Sequence, residues 1–162
     1  MRLKDNFIVF GVLFVFFIQF TGFAQSDQAE VKALSKGADV ILTGKVTKQQ
    51  SEWTQNKSRI ITKTTIQVSE YLKGNRTNGV IVVNHPGGEV DGVGELYSHM
   101  PEFQNDEEVL LFLKKDNKSN DYKVFAGEDG KVSLLKDKSG EMMTASRIPL
   151  NSLKAEIKSY TE

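Results

Sequence analysis

Between Arg59 and Gly74 the chain reads RIITKTTIQVSEYLKG, with Ile60, Thr62, Thr64, Ile66 and Val68 at every second position. A period of two carried by β-branched side chains specifies a strand with one face on a core. Such a strand needs neighbours to pair with, and the flanking sequence supplies them. ADVILTGKVTK, before it, places Val40, Leu42 and Val46 among polar residues, with a bulge or bend expected at Gly44. VIVVNH, after it, follows the turn LKGNRTNG. EEVLLFL, YKVFAG and KVSLLKD add three further strands, separated by the solvated turn KKDNKSND and the tight connection EDG. EEVLLFL is too short and too continuously apolar for a surface helix.

Helical spacing is confined to the two ends of this β region. In SDQAEVKALSKG, Asp27 and Glu30 form a capping box, Val31 and Leu34 share a face, and Gly37 ends the helix. In IPLNSLKAEIKSY, Asn151 or Ser152 caps a helix with Leu153, Ile157 and Tyr160 on one side. The expected fold is all-β with flanking helices, a strongly curved antiparallel barrel in one domain over residues 25–162.

Residues 1–24 read as an export signal. Arg2 and Lys4 precede the apolar run FIVFGVLFVFFIQF, and Gly22 and Ala24 suit a cleavage site after Ala24. The run is shorter than the roughly 18 residues that span a bilayer, so cleavage is expected rather than an uncleaved anchor, leaving no stable membrane span. The expected location is periplasmic or extracellular. No cysteine occurs, which removes thiolate chemistry and cysteine-bearing zinc sites. Charge is balanced, 21 basic against 21 acidic residues, so no basic footprint for nucleic acid is present.

The order of these segments resembles the netrin-like, OB-fold domain of the tissue inhibitors of metalloproteinases. The resemblance is carried by the helix leading into ADVILTGKV, the long strand ending in SEYLKG, then VIVV, EEVLLFL, YKVFAGEDGKVSLL and the terminal IPLNSLKAEIKSY. It is similar also to a type of exported bacterial protein with a GG-containing loop, PEF, a GE-like turn and an LLFL strand. Here that turn is NDEE, with Asp106 in the glycine's place, which leaves its geometry open. The resemblance implies a five-stranded Greek-key barrel, an OB-fold, with added strands and helices. It also implies partner contact through the mature amino terminus, Gln25 or Ser26, and through the first inter-strand loop with Glu52, Trp53 and Thr54. The animal inhibitors chelate a protease zinc through an N-terminal cysteine. This chain has none, and cyclisation of an N-terminal Gln25 would remove its amine.

The stretch NHPGGEVDGVGELYSHM, from Asn84 to Met100, holds both histidines, His85 and His99, with Glu89, Asp91 and Glu95 between them. Imidazole and carboxylate suit a metal ion, so these residues are candidate ligands. Pro86 and the glycines argue against the helix that would align their spacings of four, and no HExxH occurs. The competing expectation is a glycine-rich bend, with Gly87 and Gly88 contributing to a contact surface. GKVT at Gly44 and GKVS at Gly130 lack the first glycine of a phosphate loop, and no GxSxG is present, so neither a cofactor nor a catalytic residue is assigned. Trp53 and Phe103 are read as partner anchors or core aromatics. The expected function is an exported, non-catalytic binding module for an envelope or secreted protein, a peptidase among the possibilities. The alternatives are a metal-binding protein or metal-dependent enzyme built on His85 and His99, and a structural envelope protein.

Overall fold

The computed structural model of the protein describes residues 24–74, 79–116 and 121–162, with the backbone alone for 24–27. The export-signal segment therefore lies outside the described residues except for Ala24, where the first helix begins.

The alternating segment forms β2 (Ile60–Lys73), in which Ile60, Thr62, Thr64 and Ile66 are all buried. Strand β1 (Val40–Trp53) runs antiparallel along one edge of β2, and β3 (Val80–Pro86) along the other. A small hairpin follows, β4 (Gly88–Val90) and β5 (Val93–Glu95), then β6 (Glu108–Lys115) and β7 (Tyr122–Val124). β6 returns to β1, and β7 lies parallel to β3 at Val83 and Tyr122. The order β1-β2-β3-β7-β6-β1 closes a five-stranded barrel with OB-fold connectivity. β8 (Lys131–Lys136) and β9 (Met142–Thr144) extend the sheet outward from β6.

β6 explains its own continuous apolar run. Val109, Leu111 and Leu113 face the barrel interior with Leu42, Val46, Ile66 and Val83. Leu110 and Phe112 face outward, into a second core with Ile41, Leu34, Leu153 and Ile157. That outer core is covered by α1 (Ala24–Gly37) and α2 (Leu150–Thr161), so β6 is apolar on both faces because both are buried. Lys73 fastens α1 at its carboxyl end, donating from Nζ to the carbonyls of Ser35 (2.8 Å), Lys36 (3.2 Å) and Ala38 (2.7 Å). A cation there satisfies terminal carbonyls and suits the negative end of the helix dipole.

Several expectations need correction. α1 begins at Ala24, so Asp27 lies inside the helix and is not its cap. Pro149 occupies the cap position of α2, ahead of Asn151 and Ser152, and makes no side-chain cap. Glu52 and Trp53, read as loop, continue β1 together with Gln49–Ser51, because the whole length of β2 back to Ile60 is available to pair with them. The bulge does occur at Gly44, together with further register shifts at Ile41/Leu42 and Val46/Lys48. Asp106 keeps the left-handed conformation that a glycine would adopt there, at φ +66°, and its N–H donates to Val46 O.

Candidate functional site

Along β1, β2 and β3 the positions facing the barrel interior change from aliphatic to polar toward one end. Ile66 and Val83 give way to Thr64, Thr62, Ser51 and His85. Thr62 Oγ1 donates to Gly87 O at 2.7 Å, which leaves Ser51 Oγ as the donor in its 2.9 Å contact with Thr62. His85 Nε2 lies 3.5 Å from Thr64 Oγ1, its Nδ1 lies 3.3 Å from Pro86 O, and its ring packs on Phe103 with centroids 5.7 Å apart. Burial pushes the imidazole pKa down against the smaller opposing effect of the Pro86 carbonyl, so His85 is neutral at pH 7. The carbonyl fixes the tautomer assignment with hydrogen on Nδ1. This is a hydrogen-bonded barrel end in which a backbone carbonyl, not a carboxylate, orients the histidine.

Over this end lies the β4–β5 hairpin. Its turn residues Asp91 and Gly92 have φ of +52° and +78°, the paired positive values of a tight two-residue hairpin turn. Gly88, at φ +124°, comes so close to Ser51 and Thr62 that a Cβ would overlap both hydroxyls. Glu95 Oε2 accepts from the Ile60 N–H (3.0 Å) and from Tyr97 OH (3.1 Å), and Gly87 N donates to Ile60 O, so both ends of the hairpin are tied to the start of β2.

The chain then runs through Leu96–Phe103 and leaves a groove of 720 Å³ between itself, the hairpin and Gln49 and Ser51 of β1. Phe103 is buried and carries the core alternative of its two readings. Its carbonyl accepts from Gln49 Nε2 at 3.0 Å. Leu96, by contrast, is 90% exposed, and Tyr97 is 38% exposed. The outer side of this segment is anchored by Glu107, which accepts from Lys131 Nζ (2.7 Å), Ser133 Oγ (2.6 Å) and the nearby Gln104 N–H. Burial raises the Glu107 pKa, but these donors outweigh it and hold the carboxyl below its ordinary value.

The structure separates the sequence candidates of the Asn84–Met100 stretch into three places. His85, Gly87, Gly88, Glu89 and Glu95 line the groove. His99 turns away, with its Nδ1 3.2 Å from Glu128 Oε1 and its carbonyl accepting from Glu128 N. Asp91 sits in the hairpin turn. The two histidines are not brought together, and among the described residues no group of three or more histidine or carboxylate side chains is placed to hold a metal ion.

Glu52, Trp53 and Thr54 line a different pocket, with Gln55, Asn56 and Ile61. Glu52 pairs with Lys63 at 2.7 Å, and Thr54 closes the β1–β2 turn through Arg59. Gln25 and Ser26 belong to the first turn of α1.

Sequence reasoning missed Gln49, Ser51, Leu96 and Tyr97. The segment VDGV carried a signal for the hairpin, since Asp-Gly between β-branched residues favours a two-residue turn, and the hairpin fixes where Leu96 emerges. Among the described residues no helix is long and apolar enough to cross a membrane. No protein-family model and no curated protein matches the chain.

Proposed function

We propose that the chain is an exported, non-catalytic binding module that contacts another secreted or envelope protein through the hairpin end of its barrel. The observation that carries this reading is Leu96, 90% exposed beside Tyr97 on the lip of a groove whose floor hydroxyls, Ser51 and Thr62, are hydrogen-bonded. An apolar side chain held out on an anchored segment contributes nothing to the core, and with Tyr97 beside it offers an apolar and aromatic anchor on which a partner can close. The neutral His85, oriented by Pro86 O, serves packing in this reading. The netrin-like resemblance supports a contact role in general, because it implies partner contact through the first inter-strand loop and the amino terminus, and analogy of fold carries no more than that.

Capture from periplasm or culture medium tests the proposal. The wild-type chain should recover a specific partner, and Leu96→Asp should weaken recovery by about 30-fold, the equivalent of roughly 2 kcal/mol at a hot spot. Trp53→Ala, in the neighbouring pocket, should weaken it less. Equal recovery by wild type and Leu96→Asp would remove this barrel end from the function.

A further inference from the structure

Among the described residues no strand pairs with one edge of the β1 extension. β6 pairs with β1 through Lys45, with a last backbone bond from Val46 N to Glu107 O, whereas β1 continues to Trp53. The register fixes which groups point where. Thr54 N donates to Arg59 O, and the ladder runs on through Glu52↔Ile61, Gln50↔Lys63 and Lys48↔Thr65. Hydrogen-bonded pairs alternate in an antiparallel ladder, so Gln49, Ser51 and Trp53 turn their N–H and C=O groups away from β2. Among the described residues those groups meet no hydrogen-bonding partner.

A row of such groups is complementary to another extended backbone. The groove beside this edge adds a charge preference. Its lining includes Glu89, Glu95 and Glu102 and no lysine or arginine, and its histidine is held neutral. Glu95 is occupied by Ile60 N and Tyr97 OH, while Glu89 and Glu102 are exposed.

We infer that the partner is engaged by strand addition: an extended segment with basic side chains at alternate positions pairs its backbone with Gln49–Trp53 of β1 and directs its cations toward Glu89 and Glu102. This rests on the binding-module reading and specifies the chemistry of its partner. Five residues of strand give about 17 Å of ladder, room for two or three pairs of backbone bonds. Lysine or arginine at every second position places the cations on one face of the added strand. Leu96 and Tyr97 then cover that strand from the lip.

The test uses the protein in the form the cell exports and a capped seven-residue peptide, Thr-Lys-Val-Lys-Val-Lys-Thr, with the sole tryptophan, Trp53, as fluorescent reporter. The peptide should bind saturably and at least ~10-fold more tightly than its Glu-for-Lys counterpart, with affinity falling as salt is raised. N-methylation of one alternate set of its amides should weaken binding ~10-fold or more, and methylation of the other set should change it less than about twofold. The Glu89→Gln, Glu102→Gln double variant, with both positions exposed, should lose most of the preference for lysine.

Equal effects from both methylated sets would overturn strand addition, as would equal binding of the glutamate peptide. So would a chain that sediments as a dimer and is released to monomer by the peptide, since the edge would then belong to a second copy. Partner capture that depends on Leu96 while the peptide series fails would overturn this inference and leave the binding-module reading standing.

Discussion

Glu107 and His85 hold the two sides of the Leu96–Phe103 segment, and each makes stability depend on pH. The Glu107 carboxyl titrates lower in the folded chain than its unfolded value of about 4.3, so the unfolded state takes up protons first as the solution is acidified. Its contribution is complete above about pH 4.3 and is lost as pH falls through the lower folded value. Glu107→Gln should cost about 2–3 kcal/mol at pH 7, because Lys131 is left largely buried without a counter-charge, and should flatten the acid limb of a melting-temperature profile. His85 has the same sign for a different reason. Burial depresses its pKa below about 6.5, so stability is full above that pH and declines below it. His85→Phe should remove the decline that sets in below about pH 6.5 while keeping the ring on Phe103. A profile unchanged below that pH would show that His85 does not titrate there.

At the scale of elements, the β4–β5 hairpin is the piece whose loss should separate function from folding. Gly88→Ala forces a Cβ into Ser51 and Thr62 at a φ that L-residues avoid, and should cost about 2 kcal/mol or more. Amide exchange should rise in β4, β5 and Leu96–Phe103 and stay unchanged in α2. The elements differ in how much of their structure is local. The β2 alternation and the short continuous apolar run of β6 are local patterns, and both segments are strands as expected, whereas the burial of both faces of β6 is seen only in the fold. Trp53 and Glu52 were misplaced because QQSEW has no strand pattern of its own and is strand only by pairing with β2, a tertiary effect. The histidines drew attention through their residue type. Opposite orientations, set by Pro86 O for one and Glu128 for the other, are not encoded in their spacing. Gln49 and Ser51 were invisible as site residues because nothing local indicates where β6 stops pairing with β1.

The molecule as a whole is two cores sharing the strands β1, β2 and β6. β6 contributes to the barrel interior through Leu111 and to the helix-covered layer through Phe112, so neither core can come apart alone. Ile157→Ala, in the outer layer, and Leu111→Ala, in the barrel, should each cost about 2–5 kcal/mol and each leave one cooperative thermal transition. Two separate transitions in either variant would mean that α1 and α2 fold independently of the barrel. This division also sorts the surface, with the helices stabilising one side and the hairpin end left for contact. The most direct measurement of that assignment is hydrogen–deuterium exchange on the chain in complex with its captured partner. Protection is expected in Thr47–Trp53 and Gly88–Phe103, with α1, α2, β8 and β9 unchanged. Protection confined to the helices or to β8 and β9 would contradict the assignment of function to the hairpin end of the barrel.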